Sequence, residues 1–187
     1  MNKKFTLTGE VEVLLAKEEL EVKKSKFIAY VYNVSSEEQI TKILNNIRVT
    51  NKEAKHIVYA YRLENSGRYT DDREPSGTAG KPIYAMLEKE NLVNILVIVV
   101  RYFGGILLGT GPLTRAYIGV ANDAIGKCKK IEYIKYKSTE FVVEYNEENR
   151  ILREIEKADG KVVSVQYEDK IRIIADMPEG NNNKKSF

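Results

Sequence analysis

The chain has no tryptophan, one cysteine, one histidine and four prolines among its 187 residues. Each scarcity excludes something. A lone cysteine, Cys128, forbids an intrachain disulfide. A lone histidine, His56, rules out a histidine metal cluster and any mechanism that needs two imidazoles. No apolar run approaches the roughly 18–20 residues that span a bilayer; the longest, Ile95–Val100, has the length of a strand. The opening MNKKFTLTGEVE lacks the apolar core and small-residue cleavage site of a secretory leader. Together these features predict a cytoplasmic protein with no membrane partner.

What is present is a chain with 43% hydrophobic and 30% charged residues, the balance of a globular protein. Its charge is uneven. Residues 1–131 hold 20 Lys and Arg against 15 Asp and Glu, a net +5, whereas residues 132–187 hold 10 against 12, a net −2. Only the first part has a field that would draw a polyanion.

Periodicity gives the element order. Strands are predicted at Val11–Ala16, Ser25–Val34 and His56–Leu63. Between the second and third lies a helix opened by Ser35 and Glu38 at capping-box spacing, with Ile40, Ile43, Leu44 and Ile47 on one stripe. Asn65 to Lys81 reads as a long loop, followed by a helix over Pro82–Glu90. Ile95–Val100 has no alternation and predicts a strand covered on both faces. A helix starting at Pro112 carries Leu113, Ala116, Tyr117, Val120, Ala121, Ala124, Ile125 and Cys128 as one stripe, so Cys128 is expected to fill core. A second domain then reads β-α-β-β: Thr139–Tyr145, Glu147–Ala158, Val162–Tyr167 and Ile171–Ala175, with Asn146 as N-cap and Asp159-Gly160 as the helix stop. The expected organisation is α+β: a two-layer α/β domain over 1–131, an incomplete ferredoxin-like domain over 132–178, and a disordered tail at 179–187.

Two stretches concentrate chemistry. In VVRYFGGILLGTGPLTRAY, Val99–Tyr117, Arg101 is followed by Gly104, Gly105, Gly109 and Gly111. Gly104 and Gly109 have phosphate-loop spacing, but Thr110 and Gly111 stand where that loop needs Lys and Ser/Thr, which excludes a nucleotide triphosphatase of that kind. The dinucleotide pattern fails as well. A weaker reading survives: the helix start offers unpaired amides near Thr110 and Gly111, with Arg101 and Arg115 beside them, as an anion site. The alternative is a tight corner whose arginines pair with Asp71, Asp72 or Glu74.

The second stretch is SGRYTDDREPSGTAGKP, Ser66–Pro82. Asp71, Asp72 and Glu74 suit a hard cation or a general base, or else a solvated acidic turn. Ser76, Gly77, Thr78 and Gly80 form a small-residue run able to pack against the glycine turn, and Lys81 closes it. Neither Ser76 nor Thr78 sits in a nucleophile elbow, and no motif calls for a cofactor or metal. Lys23, Lys24 and Lys26, with Tyr59 and Tyr61 on one strand face, suit phosphate contact and base stacking on RNA.

DDREPSGTAGKP, Asp71–Pro82, and VVRYFGGILLGTGPLTRAY resemble the Impact / YigZ family, and so does KKSKF, Lys23–Phe27. The resemblance covers nearly the whole chain. It implies a first domain like domain IV of elongation factor G and a second like that factor's ferredoxin-like domain V. It further implies an RNA- or ribosome-associated role in the regulation of translation; eukaryotic Impact proteins act there by competing for the activator of a starvation-response kinase. It brings no established reaction. The rival expectation is an enzyme acting on a small phosphorylated or carboxylated substrate, with the acidic loop and Arg101 forming its cleft. Two residues depart from the family pattern. Arg73 and Pro112 each stand where the family commonly has glycine, and Arg73 adds bulk and charge inside the acidic turn.

Overall fold

The computed structural model describes residues 3–179, so most of the expected disordered tail lies outside the described residues. The element order is β1 (Phe5–Leu7), β2 (Leu14–Val22), β3 (Ser25–Asn33), α1 (Glu37–Thr50), β4 (His56–Arg62), β5 (Gly67–Thr70), α2 (Gly80–Lys89), β6 (Ile95–Tyr102), α3 (Thr110–Gly126), β7 (Lys130–Glu132), β8 (Tyr136–Val143), α4 (Glu148–Lys157), β9 (Lys161–Tyr167) and β10 (Ile171–Pro178). These elements divide into two compact units, 1–133 and 134–187.

In the first unit, β6 is the middle strand of a five-stranded antiparallel sheet of order β2-β3-β6-β4-β5. Its unbroken ILVIVV run is explained by what covers it. Ile95, Val97 and Val99 face a core built with α2 and α3, and Leu96, Ile98 and Val100 face a second core built with α1. Successive side chains of a strand point to opposite faces, so a strand between two cores must be apolar at every position. The sheet therefore has helices on both faces, and the unit has three layers where two were expected.

Local chemistry explains most element ends, with some shifts from expectation. The cap of α1 is Ser36, not Ser35: its Oγ accepts from the Gln39 amide at 3.4 Å, while Gln39 Oε1 accepts from Ser35 N at 2.7 Å. The presumed loop from Asn65 to Lys81 contains β5, which pairs with β4. The β2–β3 pair runs to the Lys23-Lys24 turn, so the first long strand begins and ends later than the Val11–Ala16 reading. Pro112 is the third helical residue rather than the first, still within the turn whose amides lack intrahelical partners. Strands β1 and β7 pair with each other, Phe5 opposite Glu132, and join the two ends of the first unit; neither was expected.

The second unit is βαββ, with a sheet of order β8-β10-β9. Ile151 and Ile155 of α4 pack on Val143, Ile171, Ile173 and Ala175. The helix stop differs in detail. Asp159 takes the left-handed conformation, φ 57°, and the Gly160 amide donates to Ile155 O at 2.8 Å, a Schellman closure. Room is tight at Gly160, where a Cβ would lie 2.6 Å from Met177 Sδ, 2.8 Å from Ile155 Cγ2 and 3.0 Å from Ile155 O. The N-cap is Glu147 rather than Asn146.

Candidate functional site

The acidic loop is committed to its own backbone. Asp71 Oδ1 accepts from the amides of Ala79 and Lys81 at 3.1 and 3.3 Å, and Oδ2 accepts from Gly77 N at 2.8 Å. The carboxylate thus acts as an N-terminal cap for α2, whose flanking residue, Ala79, has no capping side chain. Asp72 Oδ2 accepts from Ile57 N at 2.6 Å and ties the loop to β4. Thr78 Oγ1 donates to Pro75 O at 2.6 Å, and Ser76 stays exposed. Gly80 packs against β5, not against the glycine turn: a Cβ there would lie 2.2 Å from Thr70 O. No group of three or more His, Cys, Asp or Glu among the described residues is placed to hold a metal ion.

Asp72 and Arg73 both have positive φ, 42° and 67°. That is the physical reason glycine suits the position of Arg73. Its side chain is 83% exposed and reaches Asp72 only at 4.0 Å, which offsets little of the strain. Arg73→Gly is expected to raise the stability of the first unit by about 0.5–1 kcal/mol, the left-handed penalty net of the entropy glycine loses on folding. A urea denaturation midpoint that does not rise would refute this.

Glu74 leads into a buried polar cluster. Its Oε1 accepts from Arg101 Nη1 at 2.6 Å and from the Tyr117 hydroxyl at 2.7 Å, and lies 3.7 Å from His56 Nε2. The two charged side chains are 4% and 6% exposed. His56 Nδ1 donates to Asp72 O at 2.7 Å, which fixes the proton on that nitrogen. Arg101 Nη2 donates to Ser25 Oγ at 3.3 Å, and its guanidinium lies 5.3 and 5.6 Å from the Phe27 and Phe103 ring centroids. Burial, reinforced by the Glu74 carboxylate, pushes the Tyr117 phenol far above its ordinary range, so it stays a donor. Arg101, expected from sequence to contact an external anion, is therefore an internal cation. Its pairing with Glu74 is the alternative weighed above.

The glycine turn divides differently. Gly104 is pressed onto the Lys23-Lys24 hairpin: a Cβ would fall 2.0 Å from the Lys24 carbonyl carbon, and Gly104 N donates to Ser25 Oγ at 3.2 Å. Lys23 and Lys24 are the two central residues of that hairpin and both have positive φ, 46° and 66°, a geometry Asn-Gly normally supplies. Both lysines are exposed, and neither has an ion-pair partner among the described residues. Lys26, by contrast, bonds Glu19 at 2.6 Å, which raises its pKa. Gly105 and Gly109, with φ of 83° and 81°, carry the chain through a turn whose exposed tip is Phe103, Ile106 and Leu107, the last 85% exposed. Gly109, Thr110 and Gly111 at the start of α3 are exposed, no side chain caps the helix, and Arg115 is exposed without an ion pair among the described residues.

The helix brings these parts to one end. Lys127 of the α3 C-cap pairs with Glu18, while Tyr117 packs edge-on against Phe27 at 5.1 Å. Because Phe27 is nearer the hairpin turn than Glu18, α3 runs with its N-terminus toward Lys23 and Lys24. The structure thus leaves Lys23 and Lys24 exposed on the hairpin turn and Thr110, Gly111 and Arg115 exposed at the start of α3, and withdraws Arg101 and Glu74 inside. Sequence reasoning missed Ser25, His56 and Tyr117 as partners of that inner pair. Tyr117 was legible only as core, and nothing in the spacing of Ser25 or His56 pointed to Arg101.

Comparison with known proteins adds the following. Residues 23–125 match the model described as the Impact N-terminal domain, and residues 141–184 match a domain described as being of unknown function, DUF1949. The IMPACT family member YigZ of Escherichia coli K12 is 34% identical over 155 residues, covering 79% of this chain and 75% of that protein. An IMPACT family member of Thermus thermophilus is 37% identical over 130 residues, 70% of this chain and 71% of its own. A crystal structure described only as that of a hypothetical protein aligns at TM-score 0.69 and 28% identity, over 95% of this chain and 86% of that one.

Proposed function

We propose, for a chain that belongs to the Impact family, that the first unit is an RNA-binding module acting in the regulation of translation, with RNA or the ribosome as its partner. One observation carries the reading. Gly104 pins a strained hairpin, bearing two lysines without carboxylate partners, onto the glycine turn. Lys23, Lys24 and Arg115 supply phosphate contacts. The open amides of Thr110 and Gly111 add oriented donors at the positive end of the α3 dipole. The apolar tip at Phe103, Ile106 and Leu107 is the kind of surface on which unstacked bases rest. Left-handed lysines in place of Asn-Gly are the local sacrifice of stability that marks a working surface.

The test is a titration of the full chain with structured RNA at two salt concentrations, repeated with Lys23→Asn/Lys24→Gly. That variant removes both charges while installing the residues the turn prefers, so weaker binding cannot be blamed on unfolding. Affinity is expected to fall steeply with salt, and the variant is expected to lower the slope of log K against log salt by about 1.5–2. Undetectable binding at low salt, indifference to salt, or an unaffected variant would each remove this reading.

A further inference from the structure

A second basic site lies on the α1 face of the sheet, where the Lys55 amide donates to Arg101 O at 2.9 Å. Helix α1 is the one helix packed on its face of the five-stranded sheet among the described residues, and β5 is exposed at the sheet edge. Between the end of α1 and the 71–74 turn is a cleft of about 330 Å³, lined among others by Arg48, Lys52, Lys55, Arg73, Asp72 and Tyr59. That volume falls at the lower end of the range for small-molecule sites.

Its charge is lopsided. Four cations line it against one carboxylate, and that carboxylate already accepts from Ile57 N at 2.6 Å. Arg48 donates only to Asn45 Oδ1, at 3.3 Å; Arg73 reaches Asp72 only at 4.0 Å. Lys52 and Lys55 have no ion-pair partner among the described residues. The negative end of the α1 dipole accounts for Arg48 and Lys52. It does not account for Lys55 or for Arg73, which arrives from a different segment and holds a strained φ of 67° to stand there. Like charges converging on a concave surface repel one another unless an anion sits between them.

The uncharged lining narrows the class of ligand. Asn51 is saturated: Oδ1 accepts from the Tyr102 hydroxyl at 2.8 Å, and Nδ2 donates to Ile47 O at 2.9 Å and Thr50 Oγ1 at 3.0 Å. It has no amide proton left for a sugar or peptide. Thr70 Oγ1 already accepts from the Asp72 amide at 3.1 Å, and the rest of the uncharged lining is Ala54, Ile57 and the Tyr59 ring, which is stacked on Tyr61 with centroids 6.3 Å apart and planes 15° apart. A set of cations next to a flat aromatic surface fits a phosphate joined to a planar ring.

We propose that this cleft binds a nucleoside phosphate, its phosphate held by Arg48, Lys52, Lys55 and Arg73 and its base against Tyr59. The site shares no residue with the lysine hairpin and does not rest on the RNA-binding reading of it. The test is calorimetric titration of the full chain at low salt with three probes: adenosine monophosphate, pentaadenylate and inorganic phosphate. Saturable binding of the first or second is expected, and Lys52→Glu/Lys55→Glu should weaken it about tenfold or more. Tyr59→Leu should weaken the nucleotide and leave inorganic phosphate unmoved. Lys23→Asn/Lys24→Gly should leave the adenosine monophosphate affinity unchanged while lowering that for structured RNA, which separates failure here from failure at the hairpin. The probes also distinguish the source of the phosphate. Pentaadenylate binding that Lys52→Glu/Lys55→Glu weakens, without the mononucleotide, assigns the cleft to an RNA strand, whereas equal affinity assigns it to free nucleotide. The proposal falls if neither nucleotide probe saturates at millimolar concentration, or if the lysine reversals leave affinity intact. It also falls if inorganic phosphate binds as well as the mononucleotide.

Discussion

Arg101→Ala is expected to destabilise the first unit by about 3–5 kcal/mol, because it leaves Glu74 buried without its counter-charge. The pair is almost wholly withdrawn from water, so solvent screening does little to soften the loss. Glu74→Gln should cost a comparable amount: it keeps an acceptor for Tyr117 but strands the guanidinium between Phe27 and Phe103. If the penalty arises from an uncompensated charge, removing both charges together with the Tyr117 hydroxyl should recover most of it. Arg101→Met with Glu74→Met and Tyr117→Phe is therefore expected to lie within about 1–2 kcal/mol of the natural chain. Urea denaturation followed by circular dichroism reads all of these, provided the dependence on denaturant is unchanged. A loss below about 1 kcal/mol in both single variants would mean that the cluster is hydrated and the ion pair incidental.

The second large effect belongs to Gly104. A Cβ at this position meets the Lys24 carbonyl carbon and oxygen at 2.0 and 2.1 Å and the Ser25 nitrogen at 2.5 Å. All three are backbone atoms of a tight hairpin, so no side chain can swing aside. Gly104→Ala is expected to cost about 3 kcal/mol or more, at the upper end for overpacking. It should also lower RNA affinity in the molecules that remain folded, since the hairpin must move off the glycine turn. Gly105 and Gly109 provide the contrast. Both have open space around the missing side chain but positive φ, so alanine there should cost only about 1–2 kcal/mol of backbone strain. Equal losses at the three glycines would contradict the assignment of Gly104 to close packing.

The pattern-bearing parts of the fold were legible. The apolar run of β6, the stripe of α3 and the β-α-β-β order of the second unit all follow from side-chain periods that a two-sided strand or one-sided helix imposes. What periodicity could not show was pairing between distant short segments. Strands β1 and β7 are three residues each and lie 123 residues apart from the end of one to the start of the other, too short to carry a signal of their own. β5 was hidden for the same reason, inside a polar stretch that reads as loop. The cap of α1 was displaced by one residue because Ser35-Ser36 and Glu38-Gln39 offer two equivalent pairings, and only the path of the chain chooses between them.

At the candidate site the residue types were visible but their directions were not. The glycines, the three carboxylates and the basic residues stand out in the sequence, and a local argument placed them in a turn, an acidic loop and a helix start. The sequence alone settled that no phosphate-loop lysine, nucleophile elbow or second histidine takes part, since each of those needs a residue that is absent. The tertiary structure decided which charges face water. Arg101 lies on the central strand, where the side chain must enter one of two cores, and there a cation persists only beside a carboxylate. Lys23 and Lys24 lie at the end of a hairpin, where no element among the described residues supplies a carboxylate to neutralise them. That difference in surroundings, invisible along the chain, separates an architectural arginine from solvent-exposed lysines.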